Sequence, residues 1–455
     1  MTHPATFQNQ LPTNAEIAAR FADIHPALDP QSARVESDRC LFCFDAPCTT
    51  ACPTHIDVPR FIKKIATGNL SGAAHTILDA NILGGSCARA CPVEVLCEGA
   101  CVLNHHTKKP IQIGRLQRFA IDALYDSVES TAAPLPFQPA PDTGHSVALI
   151  GAGPASLACA AELRRHGIRA IIYDSRALPG GLNTYGVAEY KLPLTESLRE
   201  IEMLSRLGVE FHFETTVDAP ALADLARTHD AIFLGLGLGA IHRLGIDGEH
   251  LAGVTNALDF IAAYKSGNIT TAPPRVAVIG AGNTAIDAAI AAARLGASDV
   301  HMLYRRGPEQ MSAFRFEYEH ALQEGVRFLW HVQPTRISGD TSAKTLHLVN
   351  LEATEDGSLI PQLDSESTLP TDLIILAIGQ STHAAFLSES ALPGEPTIQQ
   401  DRGRILIDGA TGQTSHPKFF AGGDCTNGGR EVVDAVADGK RAALGIAAYL
   451  EAHHA

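Results

Sequence analysis

Two stretches of the chain share one pattern of apolar and polar positions. One reads SVALIGAGPASLACAAELRRHGIRAIIYDSR (146–176) and the other RVAVIGAGNTAIDAAIAAARLGASDVHMLYRR (275–306). Each opens on a short β-branched run, passes a Gly-x-Gly turn, continues at helical spacing, closes at a glycine (Gly167, Gly296) and enters a second apolar run. That order predicts strand, turn, helix, strand, the core of a nucleotide-binding α/β unit, twice over. Upstream the pattern is helical. DVPRFIKKIATGN offers Asp57 as N-cap, Pro59 in the first turn and Phe61, Ile62 and Ile65 on one face. IGRLQRFAIDALYD is a second helix of the same kind, and the proline-rich TAAPLPFQPAPDTGH (131–145) reads as a linker.

The fold class expected is α/β, with an N-terminal all-helical module ahead of two Rossmann-like domains. The 455 residues suffice for this. A net charge of −15 argues against nucleic acid as a partner and against anionic membrane surfaces. No secretory leader and no membrane-spanning run is read in the sequence, so a reducing cytoplasm is the expected location, where stable disulfides are rare.

Composition changes the picture at the cysteines. Eight of ten fall between Cys40 and Cys101, as C-x2-C-x4-C-x3-C-P (Cys40, Cys43, Cys48, Cys52) and C-x3-C-P-x4-C-x3-C (Cys87, Cys91, Cys97, Cys101). Disulfides, zinc, iron–sulfur clusters and buried thiols compete for them. Four thiolates per set suit a [4Fe–4S] cube, and cysteines preceding proline (Cys52, Cys91) suggest ligands exchanged between two interleaved clusters. Zinc stays open, because Cys40-x2-Cys43 is a zinc-compatible pair. Cys159 reads as a buried thiol, and His105-His106 as a solvated loop.

The first glycine turn, Gly151-Ala-Gly153-Pro-Ala155-Ser156, follows its strand directly, and Asp174 ends the second strand 23 residues after Gly151. A backbone close to a pyrophosphate, a helix N-terminus and an acid for ribose hydroxyls make a dinucleotide cradle. The second turn, Gly280-Ala-Gly282-Asn283-Thr284, has Arg305 where the acid would stand, 25 residues after Gly280. An arginine attracts a 2′-phosphate, so NADP(H) is expected over NAD(H). Near the C-terminus KFFAGGDCTNGGRE places Gly423 and Asp424 at a strand end.

This arrangement resembles two-dinucleotide flavoproteins of the disulfide-reductase type. The resemblance implies FAD in the first cradle and an inserted NAD(P) domain, which divides the chain as 1–140, 146–255 with 377–455, and 256–376. Such reductases keep a cysteine pair beside the flavin. None is found in GGLNTYGVAEYKLP or in the inserted domain, so the N-terminal cysteines become the expected electron acceptor site.

The passages CARACPVEVLCEGACVL, PIQIGRLQRFA and LIGAGPASLACA further resemble the electron-input part of dihydropyrimidine dehydrogenase, and its relative the small subunit of glutamate synthase. The spacing PVEVL, the glutamine at Gln117 and the serine in GAGPAS lean to the pyrimidine branch. The resemblance implies one cluster on Cys40, Cys43, Cys48 and Cys101, and a second on Cys52, Cys91, Cys97 and Gln117, with Cys87 a bystander. FAD contacts would be Gly151, Gly153, Ala155, Ser156, Asp174, Gly181, Leu182, Lys191, Gly423 and Asp424. NAD(P) contacts would be Gly280, Gly282, Asn283, Thr284, Asp287, Arg305 and Arg306, with a structural network an open alternative for Asp287. The family commonly has glutamate at Asp174 and arginine at Lys191. The expected function is electron input from NAD(P)H through FAD and two [4Fe–4S] clusters, with no catalytic side chain. The electrons would pass to a separate, FMN-containing subunit that reduces uracil and thymine. A glutamate-forming large subunit is the alternative partner, and a redox-sensing scaffold without enzyme activity is the alternative class.

Overall fold

The β-branched run Ser146–Ile150 sits at the centre of a five-stranded parallel sheet in the computed structural model, which describes residues 19–131, 136–388 and 397–453. The strand order is Phe419–Ala421, Ala231–Leu234, Ser146–Ile150, Arg169–Tyr173, Glu210–His212. All neighbours pair in parallel. Central strands of such a sheet are covered on both faces, and every residue of Ser146–Ile150 is buried. One cover is the helix Pro154–Arg165 with the C-terminal helix Val432–His453 laid across it. Their approach needs Gly439, where a Cβ would stand 2.0 Å from the Ala155 carbonyl oxygen.

A second parallel sheet repeats the plan: Val254–Asn256, Leu373–Leu376, Arg275–Ile279, Asp299–Tyr304, Arg327–Trp330. Between its last two strands in the chain lies an excursion the sequence reading did not foresee. It is a small antiparallel sheet of Val332–Ser338, Thr345–Ala353, Leu359–Pro361 and Ser367–Pro370. The chain crosses between the two parallel sheets at Leu238–Ile241 and returns at Gln380–Thr382, and these two segments pair antiparallel.

The N-terminal module is helical, as its periodicity requires. Val58–Ala66 starts where the Asp57 side chain accepts the Arg60 amide, and Phe61, Ile62 and Ile65 are buried. Ile113–Thr131 crosses the module and buries Leu116, Ala120 and Ile121. Residues 136–145 form an irregular connection, and 132–135 of the linker lie outside the described residues.

Candidate functional site

The eight N-terminal cysteines form two groups that cross the sequence order. Cys40, Cys43, Cys48 and Cys101 line one small cavity walled by Pro47, Val58, Ile62, Ile111 and Ile113. Cys91 is hydrogen-bonded to Cys87 and lies close to Cys97 and Cys52. Cys52 and Cys101 have thus changed places relative to the two sequence sets. The connecting loop curls tightly enough to put Phe42 and Ala46, neither a glycine, at positive φ (51° and 32°). No thiol is paired in a disulfide. Burial pushes Cys48 up to about 11, with Cys40 and Cys101 adding to the shift. Cys91 is held well above the usual thiol value by its bond to Cys87 and by burial. Among the described residues no three His, Cys, Asp or Glu side chains converge on a single-ion site. Apolar walls around mutually destabilising thiolates are a donor set that a cationic iron–sulfur core satisfies.

Gln117 is buried beside this region. Its Nε2 donates to the Gly84 carbonyl at 2.7 Å, and its Oε1 accepts nothing from a described residue. Gly84 begins the helix Gly84–Ala90, which carries Cys87 and ends at Cys91. Two residues unmarked by the sequence reading hold that helix. Glu200, fully buried on the helix Leu194–Ser205 of the first nucleotide-binding unit, accepts the amides of Gly85 (2.7 Å) and Ser86 (3.0 Å) and the Tyr125 hydroxyl (3.2 Å). Arg89 pairs with Asp122 at 2.7 Å and Glu196 at 3.0 Å. Burial raises the Glu200 carboxyl, opposed by the hydrogen bonds from Ser86 and Gly85 and by the charge of Arg89.

The first cradle is open where a phosphate would lie. Gly151 has φ +94°, and a Cβ there would stand 2.4 Å from the Gly235 carbonyl oxygen, whereas a Cβ at Gly153 would meet nothing within 4 Å. Gly181 approaches the cradle, since its Cβ would be 2.9 Å from Gly153 Cα, and Leu182 begins a short helix beside it. Asp174 accepts the Ala152 amide at 2.6 Å and the Arg176 amide at 2.7 Å, which fixes its carboxylate at the cradle's rim. Ser156 is buried with no partner for its Oγ. Gly423 stands against Ala155, where a Cβ would come 3.0 Å from the alanine methyl, so Asp424 enters the same site. Burial raises the Asp424 carboxyl, and nearby Asp438 and Asp434 add to it. A carboxyl so placed is suited to a hydroxyl of a sugar or ribityl chain. Open glycine backbone, helix N-terminus and two carboxyls fit a flavin dinucleotide.

The second cradle opens on a cavity of about 640 Å³ lined by Gly280, Gly282, Thr284, Tyr304, Arg305 and Ser312, among others. Arg243, which the sequence reading did not single out, reaches the same cavity from the crossing segment, some sixty positions before Arg305. Arg306, Asn283 and Asp287 are not among its lining residues. Asn283 Oδ1 instead accepts the Phe314 amide at 3.0 Å. A cavity with a glycine floor and two guanidiniums suits a phosphorylated nucleotide.

Residues 145–439 match the family model described as pyridine nucleotide-disulphide oxidoreductase. The chain belongs to the pyridine nucleotide-disulphide oxidoreductase family. Residues 17–128 match a second model, dihydropyrimidine dehydrogenase domain II, 4Fe-4S cluster. Similar chains include the glutamate synthase [NADPH] small chain of Escherichia coli, 34% identical over 95% of this chain and 94% of that one. The NAD-dependent dihydropyrimidine dehydrogenase subunit PreT of Salmonella typhimurium is 33% identical over 94% of this chain and 97% of that one. Among solved structures, FprA of Mycobacterium tuberculosis in complex with NADPH shares the fold, with a TM-score of 0.54 at 19% identity over 68% of this chain and 85% of that one. The chain is an NAD(P)H-dependent flavin and iron–sulfur oxidoreductase subunit. No helix among the described residues is long and apolar enough to cross a membrane.

In this family member a buried ion cluster joins the two nucleotide-binding units. Lys191, from the segment after Gly181, places Nζ 2.6 Å from Asp287 and 2.5 Å from Glu317. The Tyr190 hydroxyl donates to Asp287 at 2.9 Å. Burial works against the Lys191 charge, but Asp287 and Glu317 together hold it above the ordinary lysine value. Burial pushes Glu317 up, Lys191 opposes this and Asp287 adds to it. Lys191 therefore spends its charge on the second unit, and Asp287 stands in the structural network that the sequence left open. Lys265, buried nearby, donates to the carbonyls of Val187 (2.7 Å) and Leu192 (2.9 Å).

Proposed function

We propose that this chain is the electron-input subunit of a dihydropyrimidine dehydrogenase, working with a separate FMN-containing subunit that reduces uracil and thymine. The observation that carries the pyrimidine branch is the Gln117 amide, whose Nε2 donates to the Gly84 carbonyl at 2.7 Å. A glutamate, the residue expected of the glutamate synthase branch, has no proton to donate there when ionised. The amide orientation leaves Oε1 free to serve, with Cys52, Cys91 and Cys97, as the fourth donor of one cluster. Cys40, Cys43, Cys48 and Cys101 hold the other.

When bound, FAD accepts a hydride and gives up single electrons, which iron–sulfur clusters can carry. The residues of this chain bind and orient. The backbone at Gly151 and Gly153, with the helix N-terminus behind it, holds the FAD pyrophosphate, while Asp174 and Asp424 accept hydroxyls. Ala155, Ser156, Gly181, Leu182 and Gly423 shape the wall of that site. Gly280, Gly282 and Thr284 hold the nicotinamide dinucleotide. Arg305 recognises a 2′-phosphate, which favours NADP(H). No side chain is required as acid or base at the reacting atoms.

The glutamate synthase reading is kept because identity to those small chains, 34%, matches that to the pyrimidine subunit, 33%. The deciding experiment isolates the tagged chain anaerobically with its partner and follows NADPH and NADH oxidation. Turnover with uracil is expected, faster with NADPH. Turnover only with 2-oxoglutarate and glutamine overturns the proposal.

A further inference from the structure

The loop that carries Cys40, Cys43 and Cys48 exposes apolar side chains to a degree unusual for a protein surface. Phe44 is completely exposed and Leu41 is 59% exposed, on either side of the half-exposed Cys43. The cavity of this cysteine group is lined by N-terminal residues alone, and at the partly exposed Cys43, between exposed Leu41 and Phe44, the group reaches the surface. The deeper group, with Cys91 and Cys97, sits next to the helix that docks on the first nucleotide-binding unit.

The charge around this face runs against the rest of the molecule. Between Arg39 and Arg118 there are nine Lys and Arg against five Asp and Glu, in a chain of net charge −15. Lys63 is exposed and stands over the Phe42 ring at 4.6 Å. Arg39 reaches the carbonyl of Lys109 at 2.7 Å, which ties the exposed Lys108-Lys109 turn to the start of the cysteine loop. Arg60 is exposed on the helix whose Pro59 and Ile62 wall the cavity. The exposed carboxylates of this stretch are Asp45, Asp57, Asp79 and Glu94; Asp57 caps that helix, and Asp79 pairs with Arg165 of the first nucleotide-binding unit. An aromatic centre with a charged rim is the anatomy of a transient protein interface, and a basic rim steers an acidic partner.

We propose that Leu41, Phe44 and the rim of Arg60, Lys63, Lys108 and Lys109 form the docking face for the electron-accepting subunit. That subunit presents an acidic rim around an apolar seat that houses its own redox centre. This rests on the reading of the chain as an electron-input subunit. Docking here sets the partner's centre against the outer cysteine group. Electrons then cross one at a time, oxidising this chain and reducing the partner, with no bond made or broken. A −15 chain is itself acidic, so a second copy of it is the rival occupant.

The test uses the iron- and flavin-loaded chain as wild type, as L41S/F44S and as K108E/K109E. Its probes are the purified FMN-containing pyrimidine-reducing subunit and the purified glutamate-forming large chain, whichever binds the wild type. Three readouts are taken: affinity for that subunit at low and high salt, sedimentation of the chain alone, and NAD(P)H oxidation with ferricyanide. Both variants are expected to lose at least about tenfold in affinity while iron content and ferricyanide reduction stay at wild-type level, and wild-type binding is expected to weaken with salt. Equal affinity of wild type and variants overturns the docking face. A wild-type dimer that L41S/F44S dissolves, with partner affinity unchanged, assigns the face to a second copy and also overturns it. A wild type that reduces ferricyanide but binds neither subunit overturns both the face and the electron-input reading. A loaded wild type that fails to reduce ferricyanide with NAD(P)H rejects that reading, and with it the role of the face in electron transfer, whatever the affinities.

Discussion

Lys191 illustrates how a residue can be found in the sequence and yet do more than its pattern says. The family resemblance offers it as a flavin contact, but the carboxylates that hold it, Asp287 and Glu317, come from 96 and 126 positions later. Nothing in local spacing reveals such a pair. Removing one partner of a buried ion pair leaves an uncompensated charge, a loss of about 3–5 kcal/mol. Lys191→Met is expected to destabilise the protein by that order in urea unfolding, and Lys191→Arg by less. A second prediction concerns Lys265, which burial lowers to about 8. The unfolded lysine keeps its proton to a higher pH, so between about pH 8 and 10.5 the unfolded state binds more protons and stability rises with pH. That contribution is lost as pH falls through 8. Urea titrations at pH 7 and 10 are expected to show wild type gaining on Lys265→Met, and a flat difference would refute it. Asp174, by contrast, was legible, because a strand end after a glycine turn is a local feature.

The helix Gly84–Ala90 is too short to stand alone, and it borrows its N-terminal cap from another part of the chain. Glu200 supplies the acceptors for two amides at once. The sequence hint was a charge on an otherwise apolar helix face, between Ser197 and Leu204, both buried. Its partner lay over a hundred positions away, out of reach of any periodicity. Glu200→Gln keeps the shape and removes the charge, which lowers hydrogen-bond strength by about 1–2 kcal/mol. Hydrogen exchange at the Gly85 and Ser86 amides is expected to quicken about tenfold, with the rest of the Leu194–Ser205 helix unchanged. Other elements were read well. Both strand–turn–helix units and the Asp57-capped helix follow from apolar spacing. The antiparallel excursion from Val332 to Pro370 was missed because its strands are partly exposed, and Pro334 breaks the usual strand signal. The two cysteine groups were half legible. Spacing put Cys101 with Cys87, Cys91 and Cys97, and only the family resemblance set it with Cys40, Cys43 and Cys48, with which it lines one cavity.

Across the whole molecule, three modules are held together by buried polar contacts: Glu200 and Arg89 at one joint, Lys191 and Lys265 at the other. The N-terminal module is expected to depend on iron in a way the other two do not, since eight of the ten cysteines lie in it, in loops with few regular elements between 40 and 52 and between 91 and 101. Chelating the iron is expected to open 40–52 and 91–101 to protease while 146–388 and 397–453 resist, and cleavage across all three modules alike would refute this independence. The paired crossing of Leu238–Ile241 with Gln380–Thr382 has a consequence for engineering. Its register sets Ile241 against Gln380, so everything between them leaves and rejoins its host at a single point. A stretch with adjoining ends can be exchanged as one continuous cassette that keeps Asp287 and Glu317 opposite Lys191, without severing any strand of the sheet that remains. Coenzyme preference could then be transplanted between relatives in a single graft.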